Sequence, residues 1–360
     1  MKKDLNYDEN SAGIDLEYIL KFLKSFSWLI KLLRYNSLND SSIDENNPTM
    51  YLVNHGQGFW GIIDVILALD YWYNKRKFKT PLYLISEEIV FKIPVIKYLA
   101  IKAGLKNASR KNIEFLLSTG ASVLIPPGGD GELLKPVWMK NRPVFTKSIY
   151  INGKMKLKTQ TWFLDSALKT KIPIIPLSIS GTHEITPILY TSFLIHKYSG
   201  MAYLRRNEFL PGYPITINHF INLGLFLLTP FSDSLLAWII FILSHIYIDF
   251  LYTYPIVFRK ICINFSNTID VSSDLDYAQL KQNDRKTIRF KYLIQIDKSI
   301  TEGLNKCDKQ RNDIFSKIYK IIFKFSLIEK IWNKILIFMQ TVYMKRYSNF
   351  QGDVNEYFIK

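Results

Sequence analysis

The first residues able to do chemistry are Asn54-His55-Gly56-Gln57-Gly58. A neutral imidazole can take a proton from a hydroxyl as that oxygen attacks a carbonyl carbon. It needs an acid to set its tautomer. Asp64 and Asp70 are the nearby acids, and Asp64 is the candidate partner. The glycines after His55 leave room for a substrate. From this block alone, a hydrogen-bonded structural histidine is an equal reading.

Three more segments carry polar groups at informative places. Gly104-Leu105-Lys106-Asn107-Ala108-Ser109-Arg110-Lys111 sets Arg110 and Lys111 at the start of a helix. Free backbone N–H groups and the helix dipole favour anions there, and a guanidinium adds bidentate recognition of phosphate. A solvated helix start is the plainer alternative. In Pro126-Pro127-Gly128-Gly129-Asp130-Gly131-Glu132, two prolines set the exit from an apolar strand. The glycines then let backbone approach a ligand closely. Asp130 and Glu132 become candidates to bind an acceptor hydroxyl. This loop lacks the Lys-Ser/Thr of a phosphate-binding loop, which disfavours nucleotide hydrolysis. Last comes the apolar run Ile172-Pro173-Ile174-Ile175-Pro176-Leu177, followed by Ser180-Gly181-Thr182-His183-Glu184. The run is core by composition, and His183 is a candidate second polar group near the site.

These groups need a scaffold, and the pattern of apolar residues supplies one. Residues 50–55 read as a short buried strand ending at the histidine, and 59–73 as a helix. Residues 80–88 read as a strand and 93–104 as a helix with a glycine stop. Residues 109–120 are helical, with Ser109 as N-cap and Gly120 past the end. Residues 121–132 are a strand breaking into the Gly/Pro loop, 161–170 a helix, 172–181 a strand, and 254–272 return to strand periodicity. Strands that are apolar throughout, alternating with helices, imply an α/β fold: a mostly parallel sheet covered by helices on both faces. His55 then falls at the carboxyl end of a parallel strand, where open α/β sheets place their ligands.

The chain divides into residues 1–49, an amphipathic helix and a polar linker over 36–49; 50–275, the α/β core with a hydrophobic insertion at about 221–254; and 276–360, a basic amphipathic helical region. In the first helix, over 15–35, Lys21, Lys24, Lys31 and Arg34 share one arc of the wheel, and aliphatic and aromatic residues fill the rest. Such a helix suits a membrane interface or the protein's own core, and the sequence leaves both open. Lysines 317, 320, 324, 330 and 334 repeat the pattern within 314–343. Residues 235–254 are long enough to span a bilayer. His245 and Asp249 would then sit in hydrocarbon at high cost, so a re-entrant or interfacial element is expected instead.

The formal net charge of +16 favours an anionic partner. The lysines flank long apolar helical faces at both ends of the chain. This arrangement points to an anionic membrane surface and away from nucleic acid. Cys262 and Cys307 form no CxxC and lie near no histidine cluster, so neither a disulfide framework nor a zinc site is expected. The N-terminal lysines are followed by polar and acidic residues, so a cleaved signal peptide is not expected.

Taken in order, the four blocks resemble the glycerolipid acyltransferase superfamily: the lysophospholipid and glycerol-phosphate acyltransferases and their diacylglycerol acyltransferase type 2-like relatives. That family carries an Asn-His block after a strand, then a Gly…Arg block, then a Pro-Glu-Gly or Pro-Gly-Gly block, and last an apolar Val/Ile-Pro-Ile-Val/Ile-Pro block. The likeness covers about residues 50–190, and Phe265 with Ile269-Asp270-Val271 resembles the family's closing strand. Pro127-Gly128-Gly129…Glu132 looks more like the neutral-lipid branch. The resemblance implies His55 as general base. It implies Arg110 as a phosphate or headgroup contact, and Gly128, Gly129 and Glu132 as the acceptor-binding loop. It implies acyl transfer from acyl-CoA or acyl-carrier protein to a lipid alcohol, on the cytoplasmic side of a membrane, with no metal or bound cofactor. Two positions depart from the pattern. Trp60 stands where the family's Asp follows the histidine by five residues, while Asp64 is nine on. Gly131 stands where an arginine is common. These departures favour the alternative of a non-catalytic lipid-binding protein with a degenerate acyltransferase fold. A serine hydrolase is unsupported, because no G-x-S-x-G is present.

Overall fold

The computed structural model describes residues 14–40, 43, 46–56, 62–78, 80–92, 94–128, 132–133, 135–151, 154–192, 213–247, 260–272 and 277–311. The strands are β1 (Asn36–Leu38), β2 (Met50–Val53), β3 (Leu82–Ser86), β4 (Leu105–Asn107), β5 (Ser122–Ile125), β6 (Thr146–Ile151), β7 (Lys154–Thr159), β8 (Ile174–Ser180), β9 (Ile188–Ser192), β10 (Tyr213–Thr216) and β11 (Cys262–Phe265). The helices are α1 (Leu16–Ser25), α2 (Ser27–Leu33), α3 (Ile62–Leu69), α4 (Pro94–Lys102), α5 (Arg110–Ser118), α6 (Trp162–Thr170), α7 (Ile217–Leu227), α8 (Leu235–Tyr247) and α9 (Gln282–Gln310).

Seven strands make one sheet in the order β1-β11-β8-β2-β5-β3-β4. From β8 to β4 every pairing is parallel. β11 runs antiparallel to β8, and β1 parallel to β11. The expected α/β fold with a mostly parallel sheet is therefore what forms. Every residue of β2, β5 and β8 is buried. Their side chains alternate between two cores. Tyr51, Val53, Leu84 and Leu177 meet Ile19, Leu23 and Leu33 of α1 and α2 and Ile63 of α3. Met50, Leu52, Tyr83 and Ile125 meet Ile113 of α5, Phe163 of α6 and Ile296 of α9. Two covered faces are why these strands read as unbroken apolar runs. Full burial of one such side chain stabilises the fold by about 1.5–3 kcal/mol.

Within residues 1–49, two features depart from the sequence reading. Residues 36–38, expected in a linker, form β1, pairing Asn36 with Cys262 and Leu38 with Asn264. An edge strand needs only backbone donors and acceptors along one side, so polar side chains do not bar it. The first helix breaks at Phe26 into α1 and α2. Its two open readings divide by face. Ile19, Leu23, Leu29 and Leu33 are buried in the core, while Leu16, Leu20, Trp28 and Leu32 stay 40–63% exposed.

The C-terminal region contributes α9, which lies across β8 and β11. Ser178 Oγ donates to the Ile300 carbonyl at 2.9 Å. A Cβ on Gly303 would fall 2.3 Å from Ser178 Oγ, so glycine is what lets the helix approach the sheet. The basic stretch 314–343 and residues 248–254 lie outside the described residues. No described helix is long and apolar enough to cross a membrane.

Candidate active site

β2 delivers the central histidine. Beyond Val53, the buried Asn54 amide accepts from the Ile179 N–H at 2.7 Å and donates to the Ile179 carbonyl at 2.9 Å. It mimics one more rung of the β2–β8 ladder and fixes the direction in which the chain leaves the sheet. His55 follows at the carboxyl edge, its side chain 21% exposed. Its ring is therefore not packed into the interior.

Asp64 lies in the first turn of α3, and its carboxylate oxygen Oδ2 is 3.1 Å from His55 Nδ1. The same oxygen accepts the Gly56 N–H. A carboxylate only accepts, so Nδ1 carries the proton and Nε2 presents a lone pair. The nine-residue separation is bridged because α3 begins beside the strand exit. Gly56 is needed for closeness: a Cβ there would lie 2.9 Å from Asp64 Oδ2 and 3.0 Å from Thr182 Cβ.

The opposite wall comes from the turn after β8. Gly181, at φ 109°, opens a short 3-10 turn over Thr182–Glu184. Thr182 is buried against Gly56, and its Oγ1 makes no hydrogen bond among the described residues. His183 is buried too, its Nε2 3.6 Å from Glu132 Oε1. Burial above all, then the Lys135 and His55 charges, hold its imidazole well below the ordinary range. It is a neutral wall residue.

The Gly/Pro loop does something other than the sequence suggests. Glu132 is fully buried. Lys135 Nζ donates to its Oε1 at 2.6 Å and the Val144 N–H to its Oε2 at 2.7 Å. Lys135 also donates to the Arg142 carbonyl at 2.9 Å. Burial pushes the Glu132 carboxyl up and the Lys135 ammonium down, each partner opposing the other's shift. Both oxygens of Glu132 are thus engaged by the chain itself, so it clamps the loop to 135–144 instead of meeting an acceptor hydroxyl. Gly128 is required for a similar reason. A Cβ would lie 2.3 Å from the Val144 carbonyl oxygen, so the close approach is by the chain's own backbone. Gly129, Asp130 and Gly131 lie outside the described residues.

Arg110 is elsewhere. It opens α5, where Ser109 Oγ caps the helix by accepting from the Asn112 N–H at 3.1 Å. α5 follows β4, three strands from β2 in the sheet, or about 14 Å at ordinary strand spacing. Its guanidinium pairs with Asp165 at 2.8 Å, and Arg289 meets the same carboxylate at 3.0 Å. Tyr277 donates to Asp165 as well. Arg110, Lys169, Arg285 and Arg289 line a groove of about 430 Å³ around this acid. Cations outnumber the acid there.

The structure therefore joins His55, Asp64, Thr182, His183 and Glu132, and leaves Arg110 in a separate cationic groove. Sequence reasoning missed Lys135 and Asp165. The i, i+3 spacing of Glu132 and Lys135 was a usable signal, and so was a lone acid in the apolar helix WFLDSALKT. Among the described residues no cluster of three or more His, Cys, Asp or Glu could hold a metal ion.

Fold and site together define a mostly parallel α/β protein with an aspartate-oriented histidine at the carboxyl edge of a central strand. The chain matches no protein-family model. It is 30% identical over 130 residues to uncharacterized proteins of Mycobacterium tuberculosis and Mycobacterium bovis, covering 36% of this chain. The match spans a third of the length of those curated relatives, 33%. Among solved structures it is similar to a 1-acyl-sn-glycerophosphate acyltransferase of Thermotoga maritima, at 15% identity and a TM-score of 0.42 over 83% of this chain and 81% of that one. A likeness at that score carries no activity to this chain.

Proposed function

We propose that this protein is an acyltransferase, moving a fatty acyl group from an acyl thioester to the hydroxyl of a glycerolipid or related lipid alcohol. One observation carries the reading. His55 is partly open at a strand's carboxyl edge, with Asp64 3.1 Å from Nδ1 and Nε2 left as the base. The residue order of the four blocks supports the choice of acyl transfer over other base-catalysed reactions.

In this reading His55 Nε2 takes the acceptor's hydroxyl proton while the oxygen attacks the thioester carbonyl carbon. Asp64 stabilises the imidazolium that forms. The tetrahedral intermediate collapses, the C–S bond breaks, and the imidazolium returns its proton to the thiolate. The donor is acyl-CoA or acyl-carrier protein. The groove holding Arg110 suits a phosphate of the donor or of a headgroup. The site faces the cytoplasmic side of an anionic membrane, drawn there by the chain's excess of positive charge.

The test is the purified full chain, radiolabelled acyl-CoA and a panel of lipid alcohols. Labelled product lipid, lost in His55→Ala with folding intact, is the expected result. Free fatty acid alone indicates a hydrolase. No turnover in the whole panel indicates a lipid-binding protein, and full activity in His55→Ala removes the base assignment.

A further inference from the structure

Helices α7 and α8 form an antiparallel hairpin around a short 3-10 turn over Pro230–Asp233. One face of each helix is spent on the other. Phe226 stacks on Phe241 with ring centroids 4.5 Å apart and meets Trp238 edge-on at 4.8 Å. At the open end, Asn222 Nδ2 lies 3.3 Å from His245 Nε2. Among the described residues the outer faces have no such use. Leu228, Phe231, Leu235 and Leu236 are 65–84% exposed, and Phe220, Leu225, Ile240 and Leu243 are also open.

Three observations select the occupant. First, at 100° per residue the exposed apolar residues of each helix cover an arc of roughly 160°, wider than the stripe one packed helix buries. A surrounding apolar medium satisfies such an arc; a single groove on a partner does not. Second, Asp233 is the one Asp, Glu, Lys or Arg between residues 217 and 247. It lies at the turn. A hairpin driven turn-first into hydrocarbon would bury that carboxylate, whereas a hairpin lying flat keeps it at the headgroups. Third, α7, capped at Thr216 and Leu228, is about 16 Å long at 1.5 Å per residue, short of a hydrocarbon core of about 30 Å.

We propose that the α7–α8 hairpin lies flat in one leaflet of a lipid bilayer, its apolar arcs in the acyl region and Asp233 at the headgroups. This rests on exposure and composition, and it holds whether or not His55 catalyses acyl transfer.

The experiment uses the full chain and vesicles of three parts phosphatidylcholine to one part phosphatidylglycerol, with sedimentation as the readout. The triple variant Leu228→Asp, Leu236→Asp and Ile240→Asp should lower vesicle partitioning at least tenfold, with circular dichroism and monomeric elution unchanged. Undiminished partitioning in the folded variant overturns the proposal. So does a wild-type dimer that the variant dissociates, which would make a second copy the occupant. Orientation is read from nitroxide labels on the single variants Ile221→Cys and Leu228→Cys. A flat hairpin gives equal depths, and a label at 228 about 10 Å deeper overturns the flat geometry.

Discussion

Replacing Asp64 by asparagine separates two jobs that one carboxylate does. Asp64 Oδ2 accepts both His55 Nδ1–H and the Gly56 N–H. In Asp64→Asn, the amide oxygen must take that position, because an amide NH2 there would face the Gly56 donor. The asparagine therefore keeps the imidazole's tautomer and removes only the charge. Two unit charges about 4 Å apart at an effective dielectric of about 20 interact by about 4 kcal/mol. His55 is about a fifth exposed, so solvent screening reduces this to about 3 kcal/mol, or roughly 100-fold in rate. Asp64→Ala loses orientation as well and should fall further, by roughly another tenfold. The assay is steady-state acyl transfer with thermal unfolding as the folding control. kcat should drop in the order wild type, Asn, Ala, with little change in KM. If Asp64→Asn keeps activity within threefold of wild type, or falls below Asp64→Ala, the Asp64–His55 argument is refuted.

Two predictions concern the elements that hold this site. Asp297, packed near Arg142, Glu132 and Lys135, has its carboxyl raised from 3.8 to about 6, chiefly by burial. A group raised on folding supports stability fully below its unfolded value and loses that support as pH rises from about 4 to 6, here about 3 kcal/mol. Asp297→Asn should therefore flatten that fall, read by denaturant unfolding at pH 4 and pH 7; an unchanged pH slope would remove the assignment. Gly303→Ala should destabilise by about 1–3 kcal/mol, because the new methyl meets Ser178 Oγ at 2.3 Å and Asn264 Nδ2 at 2.6 Å. Thermal unfolding measures it, and an unshifted midpoint would mean that α9 lifts freely from the sheet.

The α/β layering was legible because burial on both faces writes unbroken apolar runs, as in MYLV of β2 and IIPL at the start of β8. Ser109 and Gly120 were legible as helix ends because capping is local chemistry. β4 was missed because three residues carry too little period to read. β1 was missed because an edge strand is held by backbone bonds to β11, some 225 residues away in the chain. The exposed hairpin was legible as apolar, but its reversal near Pro230 was not assigned.

For the site, the linear order of residue types carried the chemical inventory. It placed an imidazole at a strand end, an acid within ten residues, a glycine-rich loop and a cationic helix start. Residue type and short-range periodicity suffice for those. Which of these groups meet was set by the folding of distant segments together. Asp64 reaches His55 because α3 starts beside the exit of β2. Thr182 and His183 join them because β8 is the parallel neighbour of β2. Arg110 is drawn away to Asp165, and Glu132 is spent on Lys135 and the Val144 N–H. Strand order and the pairing of buried charges are set by contacts between residues far apart in the chain, and no local spacing encodes them.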